Sequence, residues 1–241
     1  MLERYKDKRL KPRYVDFNQG IDARLLSEEK MAILSKLPLR PLRIAFDNIA
    51  DKDVYIAAIK LANKYGVNEM SNYILYNHND KPEDLWDRLK INIDLNVELN
   101  THIFSFPMKY APINEIDRNH IGKHWNRKYL SAVTAILLVT KGIVAGGYDF
   151  FHKAFGKDYE EMYEIFSMPR EFIIYRFKSE KLGYTDQWKA AFSDLSIEEK
   201  AWLLNYIGGS VFAEIPDEKI TTKLKNALKF YTKEYELKFE Q

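Results

Sequence analysis

From Tyr14 onward the chain alternates short apolar runs with longer amphipathic stretches. Tyr14-Val15-Asp16-Phe17 is a brief apolar–polar alternation, the period of a half-buried strand. A polar loop from Asn18 to Arg24 follows, then a helix near Ser27–Leu37. Ser27 is a good N-cap there, Glu28 and Glu29 suit the positive helix end, and Met31, Leu34 and Leu37 share a face. The pattern then repeats. Leu42–Phe46 reads as a second strand. Asp51–Tyr65 reads as a helix, with Val54, Ala58, Leu61 and Tyr65 as its stripe and Tyr55, Ile59 and Ala62 beside it; Gly66 ends it. Met70–Tyr76 is a third strand. Pro82 opens a helix running to about Leu99, with Leu85, Leu89 and Ile93 inside and an Asp84–Arg88 pair outside. His102–Phe106 is a fourth strand.

These strands begin at residues 14, 42, 70 and 102, each followed by a helix. Regular strand–helix alternation predicts a parallel sheet with right-handed crossovers. Four units are too few to close an eight-stranded barrel. The expected fold class is therefore α/β: a partial TIM-like (β/α) barrel of about four parallel strands, with both sheet edges unpaired. After Pro112 the pattern becomes helical. Asn126–Thr140 is apolar nearly all round and reads as buried. Further helices are expected near 148–155, 158–167 and 185–193 and, through a Ser196–Glu199 capping box, to Ile207. A last helix is expected from Pro216, with Ile220, Leu224, Ala227, Leu228 and Tyr231 as its stripe. The expected division is a basic lead-in over 1–13, a half-barrel over 14–115 and a helical extension over 116–241.

Composition narrows the function. The 241 residues are 46% apolar, enough for a core, and 37 basic residues stand against 35 acidic ones. That balance makes no electrostatic case for nucleic acid. No apolar run is long enough to span a membrane, and the charged opening residues carry no signal-peptide core, so a cytoplasmic location is expected. There is no cysteine. That excludes disulfides, a cysteine nucleophile and any thiolate-held iron–sulfur cluster made by this chain alone. No P-loop, G-x-G-x-x-G, G-x-S-x-G or H-E-x-x-H pattern occurs; His120 and His124 are four apart, but Gly122 lies between them.

In a parallel sheet, ligands bind at the C-terminal ends of the strands. Those ends carry Asn18, Gln19, Asp22 and Arg24; Asp47 and Asn48; Tyr76, Asn77 and His78; and Met108, Lys109 and Tyr110. An aspartate there can accept from ribose hydroxyls and an arginine can fork onto a carboxylate. Together the groups suit a nucleoside-like ligand.

Several stretches taken in order are also familiar: YVDFNQGIDARLL, PLRIAFDNI, SNYILYN with PEDLWDRLKINIDLN, and HIFSFPMKY followed by IGKHWNRKYL. Over about residues 13 to 176 the chain resembles the C-terminal part of radical S-adenosylmethionine (SAM) proteins. The resemblance implies a partial (β/α)6 barrel whose last four strands are present here. It implies that Asn18, Gln19, Asp22, Arg24, Asp47, Asn48, Tyr76, Asn77, Met108 and Tyr110 surround S-adenosylmethionine. The family's C-x3-C-x2-C motif, which holds a [4Fe–4S] cluster, has no counterpart. The implied function is the distal half of a radical SAM enzyme, inactive alone. Its implied partners are a second chain carrying the cluster-binding half, or another copy joined through exposed sheet edges. The alternative is a non-enzymatic ligand-binding or protein-interaction module.

Overall fold

The computed structural model describes residues 13–114, 119–210, 212–216 and 220–235. The basic lead-in expected over 1–13 lies outside these apart from Arg13. The chain forms two compact units: Met1–His120 with Gly142–Lys153, and Ile121–Lys141 with Ala154–Gln241.

The first unit is α/β. Its elements are α1 (Glu28–Leu34), β1 (Leu42–Arg43), α2 (Lys52–Lys64), β2 (Glu69–Tyr76), α3 (Pro82–Leu99) and β3 (His102–Lys109). The strands form one sheet in the order β1-β2-β3, parallel throughout, with Leu42 opposite Met70 and Met70 opposite Ile103. Sequential order of parallel strands is what strand–helix alternation dictates. Among the described residues the sheet has three strands, and a TIM-like sheet of four is not shown.

The stretch expected as the first strand meets its neighbour only at two single parallel bridges, Val15 to Leu39 and Ile21 to Ile44. The register explains the break. Six residue steps separate Val15 from Ile21 (21 − 15), and only five separate Leu39 from Ile44 (44 − 39), so one residue must loop out. It does so in a turn over Phe17–Gly20, closed by Gly20 N donating to Phe17 O at 2.8 Å. Gly20 sits at φ +78°, a left-handed conformation that costs glycine little. β3 has a neighbour on its far side: Ser105 and Val144 exchange both backbone hydrogen bonds, 2.7 and 2.9 Å, in an antiparallel bridge.

Side-chain alternation along β2 and β3 sends Met70, Asn72, Ile74, Tyr76, Ile103 and Ser105 to one face, where all are buried. The core there gathers Leu42, Ile44, Phe46, Tyr55, Ala58, Ile59, Ala62, Met70 and Ile103, and each large apolar side chain removed from water contributes about 1.5–3 kcal/mol. The buried stripe of α2 is Tyr55, Ala58, Ile59 and Ala62, turned from the expected one, and Val54 is exposed. Tyr55 sets this rotation. Its ring stacks on Phe46 at 4.1 Å, and its hydroxyl donates to Asn92 Oδ1 (2.7 Å) while accepting from Asn72 Nδ2 (2.6 Å). Asn92 Nδ2 donates to Ser105 Oγ at 3.0 Å, so a buried polar chain ties β2 and β3 to α2 and α3. Burial pushes the Tyr55 phenol up, against a smaller lowering by Asn72.

The second unit is helical: α4 (Arg127–Val139), then, after α5 (Tyr148–Phe155), α6 (Tyr159–Ser167), α7 (Arg170–Ile174), α8 (Arg176–Lys181), α9 (Tyr184–Ser193), α10 (Ile197–Ile207) and α11 (Thr222–Leu228). Ser196 and Glu199 make the expected capping box. Contrary to expectation α4 is not buried all round, since Leu138 and Val139 are exposed in its last turn. The last helix starts at Thr222 behind a Thr221 cap, and 217–219 of the expected start lie outside the described residues.

The C-terminal end of α6 is inside this unit, so its last carbonyls need side-chain partners. Lys128 Nζ donates to Phe166 O at 3.0 Å, and Tyr231 Oη donates to Ser167 O at 2.7 Å while accepting from Trp188 Nε1 at 2.9 Å. The start of α6 is equally tight. Gly156 lies at φ +84°, and a Cβ there would stand 2.5 Å from Met162 N and 2.8 Å from the Glu161 carbonyl carbon. Gly156→Ala is expected to destabilise the second unit by about 2 kcal/mol, from left-handed strain plus a backbone clash. A drop in the chemical-denaturation midpoint checks it, and an unchanged midpoint would refute the clash.

Candidate functional site

The helices α2 and α3 share the Met70–Tyr76 face of the sheet, and the opposite face carries the chemistry. There β1 presents Arg43, β2 presents Glu69, Ser71, Tyr73 and Leu75, and β3 presents His102, Phe104, Phe106 and Met108. Tyr73, Leu75, Phe104 and Phe106 are half-buried, while His102 and Met108 are exposed. Arg43 is the centre of this face. Its guanidinium carbon lies 5.4 Å from the Tyr73 ring centre and 5.3 Å from that of Phe106. Its Nε and Nη2 donate to the two oxygens of Asp16 at 2.8 and 2.9 Å, and Nη1 donates to Ser71 Oγ at 3.2 Å. That fork holds the Asp16 carboxyl below its usual range. At the other end of the face Glu69 Oε2 stands 3.2 Å from His102 Nδ1, with Arg40 at 3.7 Å from Glu69 Oε1.

The strand ends are held by a second, buried arginine. Arg88 of α3 donates through Nη1 to the carbonyls of Asp47 and Leu75, both 2.8 Å, and through Nε to Asp84 O at 2.9 Å. Its Nη2 donates to Asp80 Oδ2 at 3.0 Å. Burial pushes the guanidinium down and the Asp80 carboxyl up, and the charge of each offsets the shift of the other. Arg88 is therefore not half of an outside pair with Asp84.

The expected site residues divide into two sets. Tyr76, Asn77 and Tyr110 are brought together: Tyr110 N donates to Tyr76 O at 2.7 Å, and Asn77 Nδ2 donates to the carbonyls of Tyr110 (3.1 Å) and His120 (3.0 Å). Tyr110 also meets the rings of His78 and His120 edge-on, at 4.3 and 5.4 Å. Tyr76 and Asn77 are buried, so they fix the loops and are not presented to a ligand. Asp22 and Arg24 are spent on each other. Arg24 donates to Asp22 through Nε at 2.9 Å and Nη2 at 2.7 Å, and its backbone N–H is capped by the same carboxylate at 2.9 Å. The fork expected to clamp a ligand carboxylate thus closes on its own loop and lowers the Asp22 pKa. Asn48 caps a short turn through Ala50 N at 3.0 Å; Asp47 is exposed, and its carbonyl goes to Arg88. Asn18 accepts from the Tyr73 hydroxyl at 3.1 Å, Gln19 is exposed, and Met108 stands on the Arg43 face of the sheet with Phe106.

Of the ten, Asn18, Gln19, Asp47, Met108 and Tyr110 keep side chains exposed or half-buried on the Arg43 face or at its C-terminal rim. The sequence reading missed Asp16, Arg43, Tyr73 and Phe106. The signal was present, because strict alternation in Leu42–Phe46 and Met70–Tyr76 puts Arg43, Ser71 and Tyr73 on one side. Among the described residues no group of three His, Cys, Asp or Glu side chains is placed to hold a metal ion. With no cysteine in the chain, the residues present do not fit an iron–sulfur cluster. No helix among the described residues is long and apolar enough to cross a membrane. The chain matches no protein-family model, no curated protein and no solved structure.

Proposed function

We propose that the first unit is a radical SAM-like half-barrel that acts in binding and is not a catalyst by itself, the cluster coming from outside these 241 residues. The observation that carries this reading is the asymmetry of the sheet. Its strands are parallel and sequential, helices cover one face, and the other bears Arg43 with half-exposed Tyr73, Phe104 and Phe106. A barrel interior needs such a face, whereas a sheet with solvent alone on that side has no use for a buried arginine held by Asp16. In the family that the sequence resembles, the cluster supplies the electron that cleaves the sulfonium. In this chain the side chains only position: Arg43 orders the face, and Asn18, Gln19, Met108 and Tyr110 meet the ligand.

Calorimetry with S-adenosylmethionine tests this on the whole chain. Binding is expected, falling about tenfold in Met108→Ala, which removes about 1.4 kcal/mol of apolar contact. Asn18→Ala is expected to weaken it similarly, and Arg24→Ala to leave it unmoved because Asp22 already holds that guanidinium. No binding at all would sink the family reading, and loss of binding in Arg24→Ala would put that side chain back among the ligand's contacts. The second reading, a docking module with no nucleoside site, is favoured by one observation: Asp22, Arg24, Asn48 and Asn77 all satisfy the chain's own polar groups.

A further inference from the structure

The two edges of the sheet differ. β3 is bridged on its outer side by Val144. The leading edge, Tyr14–Phe17, has no such cover among the described residues. Val15 turns both its backbone groups inward: its N–H donates to Pro38 O at 2.8 Å, and its carbonyl accepts from Arg40 N at 3.1 Å. In extended chain the neighbours of an inward-facing residue face outward, so the N–H and C=O of Tyr14 and Asp16 point away from the sheet. The same residues expose apolar surface, Tyr14 at 50%, Val15 at 37% and Phe17 at 38%. An edge with outward backbone groups and apolar side chains is a template for another strand.

We propose that this edge pairs with the same edge of a second copy of the chain, antiparallel, about a two-fold axis through Val15. Outward-facing groups must pair with outward-facing groups, and of the registers that allow this, the one joining Tyr14 to Asp16 of the second copy keeps the two Asp16 carboxylates from facing each other. It sets Val15 opposite Val15 and Arg13 opposite Phe17. Each of these pairings is chemically matched. The Tyr14 hydroxyl accepts from Arg40 Nη1 at 3.4 Å in its own copy and still has its proton to donate to an Asp16 carboxylate, whose two oxygens each accept from Arg43 and keep a further lone pair. Valine meets valine across the axis. The Arg13 guanidinium meets a phenyl ring, a cation–π pair. The contact is isologous and closes on itself, so it gives a dimer and not a fibre. This goes beyond the proposed function and rests on the backbone geometry of the edge together with the side chains it exposes. It also means that self-pairing and the docking of a cluster-bearing half compete for one edge.

Sedimentation of the full chain tests it. An edge this short buries less than a standard interface, so association is expected between about 10 and about 300 µM. The weight-average mass should rise there from 28.5 kDa toward twice that value. Val15→Lys sets two ammonium groups against each other on the axis and should hold the chain monomeric throughout, with an unchanged circular dichroism spectrum. Tyr14→Glu faces Asp16 and should weaken association at least tenfold. Val97→Lys, on an exposed position of α3, should leave it as in the parent and so controls for added charge. A parent chain that stays monomeric, or a Val15→Lys chain that associates as the parent does, overturns the proposal.

Discussion

Replacing Arg88 with methionine is expected to destabilise the first unit by about 3–5 kcal/mol, the range for removing one partner of a buried, hydrogen-bonded ion pair. The loss has two parts. The carbonyls of Asp47 and Leu75 lose a donor 2.8 Å away, and each buried acceptor left bare costs about 1–3 kcal/mol. Asp80, mostly buried, loses the charge that offsets its burial. Against a domain stability of about 5–15 kcal/mol, this is enough to leave the unit marginal at room temperature. Urea unfolding followed by circular dichroism checks it. Adding Asp80→Asn to Arg88→Met should recover part of the loss, because the orphaned charge goes with its partner. If Arg88→Met unfolds at the parent's urea concentration, the arginine is not what joins the strand ends.

Arg88 also marks where the sequence ceased to be legible. Strand and helix boundaries read well because local chemistry sets them: Ser27 caps α1, Pro82 opens α3, Gly66 ends α2, and Ser196 with Glu199 starts α10. Which face of a helix is buried depends on long-range partners. In α3 the spacing Leu85-Arg88-Leu89-Asn92-Ile93 runs along one stripe, and all five are buried, the two polar ones included. Polarity alone sends Arg88 outside. What brings it in is a set of carbonyls on strand ends distant in sequence. The leading strand failed for a similar reason. Its alternation is real, but the one-residue register mismatch appears only when Val15 and Ile21 are laid beside Leu39 and Ile44.

The candidate site was half legible for the same physical cause. Polar residues at strand ends are recognisable in sequence, but their partners are not. Asp22 and Arg24, two apart, found each other, and Asn77 found carbonyls of Tyr110 and His120. Arg43 was passed over as a strand residue because its acceptor, Asp16, lies 27 positions earlier.

Lys128 carries the second large effect. It lies inside the helical unit with a single described acceptor, Phe166 O at 3.0 Å. Burial, with a smaller push from the charge of Arg170, lowers its pKa from 10.5 to about 7. The sign follows from proton counting. Between about 7 and 10.5 the unfolded chain holds a proton on this amine that the folded chain sheds, so stability rises with pH across that window. The slope from this one group is at most about 1.4 kcal/mol per pH unit, and it vanishes below the window, where both states are protonated and the full burial cost applies. Lys128→Met removes the cost along with the slope, and leaves Phe166 O without its donor at about 1–3 kcal/mol. The variant is therefore expected to unfold at higher urea than the parent at pH 6, and the two curves should converge as pH approaches 10. Taking the difference between parent and variant cancels every other titrating group. A parent whose midpoint exceeds the variant's at pH 6, or a difference that does not change between pH 7 and 9, would mean that Lys128 keeps its proton in the fold across that window at little cost and serves as an ordinary cap on α6.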